Sequence, residues 1–390
     1  MNICFETFGC RLNRAEALVE EARYLAAGYR RVESHAEADV IVIRGCSVTA
    51  RAQRDCERLV AHLRRKYPCK RLVIRGCLKT DRKSLAPLPE SDEFVVPVRT
   101  ARAYLKVQDG CSGGCSFCIV PKFRGQPVSV PFDTVLGRAR QFADAGYREL
   151  VVTGCNLSLY ADGARRLPDL VAALADASPE VRVRLGSLEP GGCAAETVSA
   201  MAGRANVCRF VHLSVQSGSN AVLRQMRRKY VTDDVEALVG LATAKMPGLG
   251  LGCDMIAGFP GETEIDHRAS VGLLKRLPFN RIHAFPFSSR PGTLAVALPN
   301  HLEHGEKSLR ARALGAVVNA SRERFALKLK GQTVEIAVED EGKTAGWTSE
   351  YLWCAAEGAV APRARAKRRE LVRLKVSGAD RGVLRGNVIG

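Results

Sequence analysis

The segment Asp109-Gly110-Cys111-Ser112-Gly113-Gly114-Cys115-Ser116-Phe117-Cys118 holds three cysteines at the spacing C-x3-C-x2-C and is separated by one residue from an apolar run at 104–107. Its glycines permit a tight loop that directs three thiolates at one centre, because glycine adopts conformations in which a Cβ would clash. Three thiolates are one short of the four that close a zinc or iron–sulfur site, which leaves one metal position open for chemistry. A structural zinc or a disulfide loop is the alternative. It is disfavoured because no fourth Cys or His follows nearby.

Length and composition set the class of protein. A chain of 390 residues is long enough for two or three domains. No stretch of about 18 apolar residues is present, which excludes a transmembrane helix. The first residues lack the layout of a signal peptide, so the sequence predicts a cytoplasmic protein. In that reducing compartment, fourteen cysteines indicate metal ligation and buried free thiols rather than disulfides.

The charge indicates a class of partner. A formal net charge of +18 favours a polyanion, most simply a nucleic acid, although a basic host proteome is an alternative explanation. The last thirty residues contain nine Lys and Arg against Glu370 and Asp380. These nine are Arg363, Arg365, Lys367, Arg368, Arg369, Arg373, Lys375, Arg381 and Arg385.

The dipeptide Gly-Cys follows three successive apolar strands near the N-terminus, predicted at 3–8, 40–43 and 72–74. Apolar strands that alternate with helices indicate a parallel sheet covered on both faces. The carboxyl ends of such strands lie at one edge, where ligands bind. We therefore expect the three cysteines to converge on a second site, unless each is simply a small buried residue after a strand. They are Cys10, Cys46 and Cys77, here called the N-terminal cysteines.

Local signals place the helices of this region. Asn13 is predicted to cap the first helix and Gly28 to end it, and Thr49 is predicted to cap the second helix. Residues 85–92 are a predicted linker because they are rich in proline.

Strand–helix alternation resumes at residue 101 and continues to about residue 290. Strands are predicted at 104–107, 150–152, 181–185, 210–215, 249–257 and 281–287. Six such units indicate an incomplete (βα) barrel with its active-site residues at the carboxyl ends of the strands. Asn156, Glu189 and Gln216 occupy such ends.

A helix is predicted at 302–329. It is followed by short strands, predicted at 334–338, 351–354, 371–376 and 383–389, which glycine and charged turns separate. They indicate a small basic β-barrel, a common format for RNA contact. The expected architecture is α/β: an N-terminal parallel α/β domain at 1–95, a central partial (βα)6 barrel at 97–329 and a small C-terminal β-barrel at 330–390.

The cysteine loop, with an aromatic residue before its last cysteine, resembles the signature of radical S-adenosylmethionine (SAM) enzymes. Further segments resemble one branch of them, the methylthiotransferases, and they occur in the family's order over nearly the whole chain. These segments are residues 9–13, 45–49, 76–77, 118–125, 216–219, 226–228 and 258–263. The sequence departs from the family pattern at Arg44-Gly45, Cys155 and Ser214-Val215, and none of these departures removes a cysteine of either trio.

Within this branch the resemblance is greatest to enzymes that modify N6-threonylcarbamoyladenosine in tRNA. Residues 184–190, Arg-Leu-Gly-Ser-Leu-Glu-Pro, are similar to that group's "RLSS-I-EP" block, and residues 346–351 are similar to its "GYTENY" block. The C-terminal region is similar to the RNA-binding TRAM module. The alternatives are isopentenyl-adenosine in tRNA and a ribosomal-protein aspartate. A non-enzymatic RNA-binding protein with structural metal sites is the rival from another class.

The resemblance implies two [4Fe–4S] clusters and SAM as cofactors. Cys111, Cys115 and Cys118, here called the loop cysteines, are implied to hold the cluster that binds SAM and cleaves it to a 5′-deoxyadenosyl radical. The N-terminal cysteines are implied to hold an auxiliary cluster that carries the sulfur to be inserted at C2 of the adenine. A low-potential electron donor such as flavodoxin or ferredoxin is implied as well.

Side-chain roles follow from position and charge. Phe117 is expected to pack on the adenine of SAM or against the core of its own loop. The three strand-end residues Asn156, Glu189 and Gln216 are expected to contact SAM or substrate, or to fix their loops by hydrogen bonds. The basic residues expected to contact the tRNA anticodon stem-loop, unless they only form solvated faces, are Arg227, Arg228, Arg368 and Arg369.

Overall fold

Three regions follow one another along the chain, in the α/β architecture predicted from the sequence. The computed structural model describes residues 1–77, 94–97, 99–357 and 367–389. The predicted linker at 85–92 lies outside these residues. Within the described ranges, no helix combines the length and apolar character needed to cross a bilayer.

The N-terminal region is a parallel sheet between helices. Its elements are β1 Asn2–Thr7, α1 Arg11–Ala26, β2 Arg30–Arg31, β3 Val40–Gly45, α2 Ala50–Lys66 and β4 Arg71–Gly76. The strand order is β2-β1-β3-β4. Ile41 packs with Leu63 of α2, and Val42 packs with Tyr24 of α1. Alternate side chains of one apolar strand therefore serve two cores, which is why the strand has no polar face.

Two of the three predicted helix boundaries are confirmed. Thr49 caps α2 by accepting a hydrogen bond from the backbone N–H of Ala52 at 3.2 Å. Gly28 follows the end of α1 with φ +85°, a conformation that glycine adopts without strain. The predicted Asn13 cap is wrong, because α1 begins at Arg11 with Cys10 as its N-cap residue.

The central region is a partial barrel of six parallel strand positions. Its elements are β5 Ala103–Lys106, β6 Gln108–Asp109, α3 Val120–Arg124, β7 Val128–Ser129, α4 Phe132–Asp144, β8 Glu149–Thr153, β9 Ala161–Asp162, β10 Arg165–Arg166, α5 Leu167–Ala177, β11 Arg182–Leu185, β12 Ser187–Leu188, α6 Ala194–Ala202, β13 Phe210–Gln216, α7 Asn220–Gln225, α8 Thr232–Lys245, β14 Gly250–Ala257, α9 Glu264–Arg276, β15 Arg281–Pro286 and α10 His304–Lys328. The barrel strands form two sheets, β11-β8-β5 and β12-β13-β14-β15.

The two faces of the barrel strands have different partners. Outward side chains such as Leu150 and Val152 enter the main core under the helices. Inward side chains such as Tyr104 and Val151 pack against Ala15 of α1. The first helix of the N-terminal region therefore lies against the concave face of the barrel.

The C-terminal region is a closed five-stranded barrel in the order β16-β17-β18-β20-β19. Its elements are β16 Thr333–Asp340, β17 Ala345–Thr348, β18 Trp353–Ala356, β19 Leu371–Asp380 and β20 Val383–Ile389. The short strand β17 was missed by the sequence analysis. It requires Gly346, where an added Cβ would lie 1.9 Å from the carbonyl oxygen of Ala337 on β16.

Buried arginines join this small barrel to the amino ends of the central strands. Arg184 of β11 donates to the carbonyl oxygens of Thr348 at 2.8 Å and Ser349 at 3.1 Å. Its guanidinium also pairs with Glu149 of β8 at 2.7 Å, and both side chains are 0% exposed. The C-terminal barrel therefore closes the floor of the central one, opposite the carboxyl ends of the strands.

Candidate metal-cluster and substrate site

The N-terminal cysteines meet because their strands end in register. Gly45 of β3 pairs with Gly76 of β4, so Cys46 and Cys77 follow neighbouring strand ends. The backbone N–H of Cys77 donates to the Gly45 carbonyl at 3.1 Å. Cys10 follows β1 and reaches this edge through Gly9. An added Cβ on Gly9 would lie 2.6 Å from Cys46 Sγ. The edge is therefore shaped around these thiols.

The electrostatics of Cys46 also reflect this proximity. Burial raises the pKa of the Cys46 thiol, and Cys10 and Cys77 raise it further. A metal centre would reverse this effect, because its positive charge stabilises the thiolate form.

The loop cysteines form the second trio, in a compact turn. The backbone N–H of Cys118 donates to the carbonyl of Cys115 at 3.1 Å, and the N–H of Gly113 donates to Cys111 Sγ at 3.3 Å. An added Cβ on Gly113 would lie 3.3 and 3.7 Å from the sulfurs of Cys111 and Cys115. Burial raises the pKa of Cys118 to about 11, and the neighbouring Cys115 and Cys111 add to that rise.

The spacing within each trio fits a cluster better than a single metal ion. A tetrahedral zinc ion holds sulfur ligands about 2.3 Å from the metal and therefore about 3.8 Å from one another. In neither trio do all three sulfurs lie within 4.8 Å of one another. A four-iron cluster binds each thiolate through a different iron, which separates the sulfurs further. The donor sets therefore suit [4Fe–4S] clusters.

One guanidinium connects the two trios. Arg124, at the end of α3, donates through Nε to Cys77 Sγ at 3.3 Å and through Nη1 to Asp109 Oδ1 at 3.0 Å. Its Nη1 also contacts Glu16 Oε1 at 3.0 Å, and its Nη2 contacts Asn13 Oδ1 at 2.9 Å. Asp109 directly precedes the cysteine loop. Arg124 thus connects the edge of the N-terminal sheet to the base of the cysteine loop, a role that the sequence did not predict.

Asn13 completes this connection instead of capping the helix. Its Nδ2 donates to the carbonyl oxygens of Phe8 at 2.9 Å and Gly45 at 2.8 Å, while its Oδ1 accepts from Arg124. The side chain therefore joins two strand ends that bear cysteines. The spacing of Asn13 and Glu16 predicts a helix cap, but the partners of Asn13 lie far away in the sequence and no local pattern indicates them.

Arg228 lies beside the loop cysteines. Its side chain is 6% exposed, and its Nη2 contacts Glu189 Oε1 at 3.1 Å. Its Nη1 donates to Cys115 Sγ at 3.0 Å and its Nε to Tyr230 Oη at 2.9 Å. In this structure Arg228 is not available for the predicted contact with RNA, because its donors are engaged inside the site.

Two of the predicted strand-end residues meet beside Arg228. Asn156 Nδ2 donates to Glu189 Oε2 at 2.7 Å, and the backbone N–H of Asn156 donates to Gln108 Oε1 at 3.0 Å. Gln108 is fully buried and also donates to the Gly110 carbonyl at 2.8 Å, so it links the cysteine loop to the Asn156 turn. Gln108 was not predicted from the sequence, because it lies between the apolar run at 104–107 and the cysteine loop and belongs to no motif.

Gln216 and Phe117 border the same region. Gln216 ends β13 with φ +66°, a left-handed conformation that costs a non-glycine residue about 1 kcal/mol or more. Phe117 is half-buried and packs against the cluster of Val222, Met226 and Phe259. Its expected contact with SAM stays a prediction.

The other residues predicted to bind RNA differ in availability. Arg227 and Arg368 are exposed. Arg369 is less available, because its Nη1 donates to the Ala145 carbonyl at 2.8 Å and its guanidinium stacks on the ring of Tyr147 at 3.9 Å. Arg369 therefore contacts the central region, in contrast to the RNA contact expected from the sequence.

A polar cluster on the concave face was also missed. His212 Nε2 and His283 Nδ1 both donate to Asp254 Oδ1, at 2.9 and 3.0 Å. These residues lie on neighbouring strands and face inward, since the residues that alternate with them enter the outer core. The alternation of inward and outward residues along a strand could have identified these three residues from the sequence.

Comparison with known proteins agrees with this arrangement. The radical SAM superfamily model matches residues 105–274, and the model of Uncharacterized protein family UPF0004 matches residues 2–96. The radical SAM methyltransferase TsrM from Kitasatospora setae superposes with a TM-score of 0.52 at 14% identity, covering 74% of this chain and 76% of that chain. This likeness concerns the fold.

Similarity to curated proteins extends over most of the chain. The threonylcarbamoyladenosine tRNA methylthiotransferase MtaB of Chlamydia pneumoniae is 31% identical over 372 residues, covering 88% of both chains. The tRNA-2-methylthio-N(6)-dimethylallyladenosine synthase of Chlorobium luteolum is 31% identical over 386 residues, covering 87% of this chain and 86% of its own. With its radical SAM core and its second cysteine trio, the chain belongs to the radical SAM methylthiotransferase family.

Proposed function

We propose that this enzyme converts N6-threonylcarbamoyladenosine at position 37 of tRNA into its 2-methylthio form. The observation that carries the proposal is the connection of two cysteine trios through Arg124, which contacts Cys77 of one and Asp109 at the base of the other. In this proposal one cluster cleaves SAM to form the radical, and a second centre near the same substrate atom supplies the sulfur that is inserted.

The cofactors divide between the trios. Family membership implies a [4Fe–4S] cluster and SAM, and we assign this cluster to the loop cysteines. We assign a second [4Fe–4S] cluster to the N-terminal cysteines. When bound, the two clusters supply reductive cleavage of SAM and the sulfur that is transferred.

The surrounding side chains position SAM and substrate. Arg228, fixed by Glu189 and Tyr230, neutralises negative charge at Cys115. Asn156 keeps Glu189 oriented through its 2.7 Å hydrogen bond. We assign Phe117 and Gln216 to the walls of the SAM site, on account of their places beside the loop and at the end of β13.

The substrate class follows from relatives and charge. Both tRNA-modifying relatives match over most of the chain, and the net charge of +18 suits a nucleic acid. We propose that Arg227 and Arg368 contact the anticodon stem-loop, and that the domains divide at 1–95, 97–329 and 330–390. A flavodoxin or ferredoxin supplies the electron in this proposal, and the reaction takes place in the cytoplasm with its tRNA substrate.

Two measurements test the proposal. Protein purified without oxygen should contain about eight irons per chain, the sum of two four-iron clusters. Cys46→Ala should abolish methylthiolation while SAM cleavage persists, whereas Cys69→Ala, at an exposed cysteine, should leave both unchanged. Zinc in place of iron, with no SAM cleavage, would instead identify a non-enzymatic RNA-binding protein. Product formation by Cys46→Ala at the wild-type rate would refute the auxiliary site.

The substrate is decided by mass spectrometry of tRNA nucleosides from a host that lacks this protein. We expect the 2-methylthio form of N6-threonylcarbamoyladenosine to disappear. The dimethylallyladenosine synthase of Chlorobium luteolum is as similar to the chain as the MtaB relative, so the isopentenyl nucleoside is the second candidate. Its loss in place of the threonylcarbamoyl form would contradict our assignment.

A further inference from the structure

The concave face of the central barrel is open to solvent along β15. His283 is 40% exposed and Phe285 is 42% exposed, while Ile282 and Ala284, which alternate with them, pack against the outer core. Arg281 begins the same inward-facing row, about 7 Å nearer the floor than His283 at 3.3 Å per residue. A substrate base that enters from the carboxyl ends of the strands therefore meets aromatic rings first and Arg281 below them.

Arg281 and Arg11 meet at one aromatic ring on the floor. The guanidinium of Arg281 lies 4.4 Å from the ring centre of Tyr351, and that of Arg11 lies 5.2 Å from it. Arg11 Nη2 also donates to Tyr351 Oη at 2.8 Å. Nε of Arg281 is buried and has no hydrogen-bond partner. Tyr351 belongs to the C-terminal region and Arg11 to α1, so three parts of the chain build this floor.

Neither of these two arginines has a carboxylate partner among residues 1–77, 94–97, 99–357 and 367–389. Two acidic groups of the central strands, Asp254 and Glu149, are engaged elsewhere. Asp254 accepts from both His212 and His283. Glu149 is shared by the other arginines at this interface, Arg102, Arg182 and Arg184.

The floor therefore carries an excess of positive charge in a partly buried place. The pKa of Arg281 is lowered by burial and by the charges of Arg11, Arg322 and Arg184, which together outweigh the opposite effect of Tyr351. The charges of Arg11 and of its neighbours lower the pKa of Tyr351 in spite of burial. Partly buried cations without counterions are costly, and an anion at this position would relieve that cost.

We propose that Arg281 and Arg11 bind a carboxylate on the substituent of the substrate adenosine. This inference rests on the proposed function and names the group that selects its substrate. If C2 of the adenine faces the clusters at the carboxyl ends of the strands, the N6 substituent points away from them, toward the floor. A threonylcarbamoyl group ends in a carboxylate, whereas an isopentenyl group carries no charge to balance the two arginines.

The experiment compares two RNA stem-loops that differ by one charge. One carries N6-threonylcarbamoyladenosine and the other its neutral primary amide, and the dissociation constant of each is measured with the full-length protein. Wild-type protein should bind the acid about tenfold more tightly, the size of one charge-assisted contact. Arg281→Gln and, independently, Arg11→Gln should bring the two constants within about twofold of each other. Arg281→Lys, which keeps the charge, should retain part of the preference.

The control is Arg268→Gln, which removes an arginine that is 75% exposed on the opposite side of the sheet. It should keep the full preference for the acid. Equal weakening of both RNAs in Arg281→Gln would show that Arg281 contacts the phosphate backbone and would overturn the inference. Equal dissociation constants of the wild-type protein for the acid and the amide RNA would overturn the inference as well. Failure of the proposed function is a separate result: wild-type enzyme would then form no methylthio product on the threonylcarbamoyl RNA.

Discussion

Arg124 illustrates how much one side chain contributes to this site. Its guanidinium touches a cysteine of the N-terminal trio, the carboxylate that precedes the cysteine loop, and two residues of α1. Although burial raises it, the pKa of Asp109 is lowered overall by the hydrogen bond from Lys106 and the charge of Arg124, so this carboxylate stays ionised. The arrangement links the two cysteine trios, and in the proposed function this link determines whether a radical formed at one site is used at the other.

We predict that Arg124→Lys uncouples the two centres. Lysine keeps the charge but lacks the planar fork that reaches four partners. SAM cleavage should continue while methylthio product falls about 10- to 100-fold, the usual result of a misplaced reacting group. The measurement is the ratio of 5′-deoxyadenosine to product, with Arg268→Lys as the control. An unchanged ratio would mean that the two trios are held in place without Arg124.

At the scale of elements, the turn from β1 into α1 fits closely around the N-terminal cysteines. Gly9 has φ +95°, and its Cα faces Cys46 so closely that a Cβ would lie 2.5 Å from the Cys46 Cβ. The clash could not be relieved by movement of a flexible side chain, because the neighbouring residue, Cys46, is itself a predicted metal ligand.

Gly9→Ala should therefore remove one cluster and spare the other. We expect iron to fall from about eight to about four per chain, because the loop cysteines are unaffected. SAM cleavage should persist without methylthiolation. Gly28→Ala is a matched control, as it also has a positive φ but has open space around its Cα. Full iron content in Gly9→Ala would contradict the assignment of the auxiliary site.

Elements were predictable where a local pattern fixes them. The Gly-Cys strand ends were found because apolar strands and turns leave a signal within a few residues. Strand β17 was missed because its four residues depend on the close approach of Gly346 to β16, and the partners of Asn13 and Arg228 were missed because they lie far away in sequence. The sequence thus predicted which cysteines belong to each trio, but not the side chains that connect the trios.

The attachment of the C-terminal barrel belongs to the scale of the whole molecule. Glu149 is 0% exposed and neutralises arginines whose other donors reach carbonyl groups of that barrel. One carboxylate therefore balances the charges by which two folding units are joined.

Removal of the Glu149 charge should destabilise the folded protein and should change how its stability depends on pH. Glu149→Gln should lower the free energy of unfolding by about 3–5 kcal/mol, as expected when a buried ion pair loses one partner. The pKa of Glu149 is depressed below its ordinary value of 4.5 in the folded state, since three arginine charges outweigh the effect of burial. Its contribution is thus present above pH 4.5 and is lost as pH falls below it.

Urea unfolding of the wild type and of Glu149→Gln between pH 7 and pH 3 tests this. The two curves should converge toward the acid end. Glu264→Gln, at an exposed position, serves as the control and should follow the wild type. Parallel curves would show that Glu149 is not the group that titrates.

The first turns of α1 have a consequence for modularity. Within seven positions, Cys10 joins the N-terminal trio, Arg11 reaches Tyr351 of the C-terminal barrel, and Asn13 and Glu16 hold Arg124 of the central barrel. Although the three regions look like exchangeable modules, they share one helix whose residues suit all three. A chimera that takes its C-terminal barrel from a relative should therefore also take position 11 from that relative, because Arg11 contacts Tyr351, and should keep Asn13 and Glu16, because they contact Arg124.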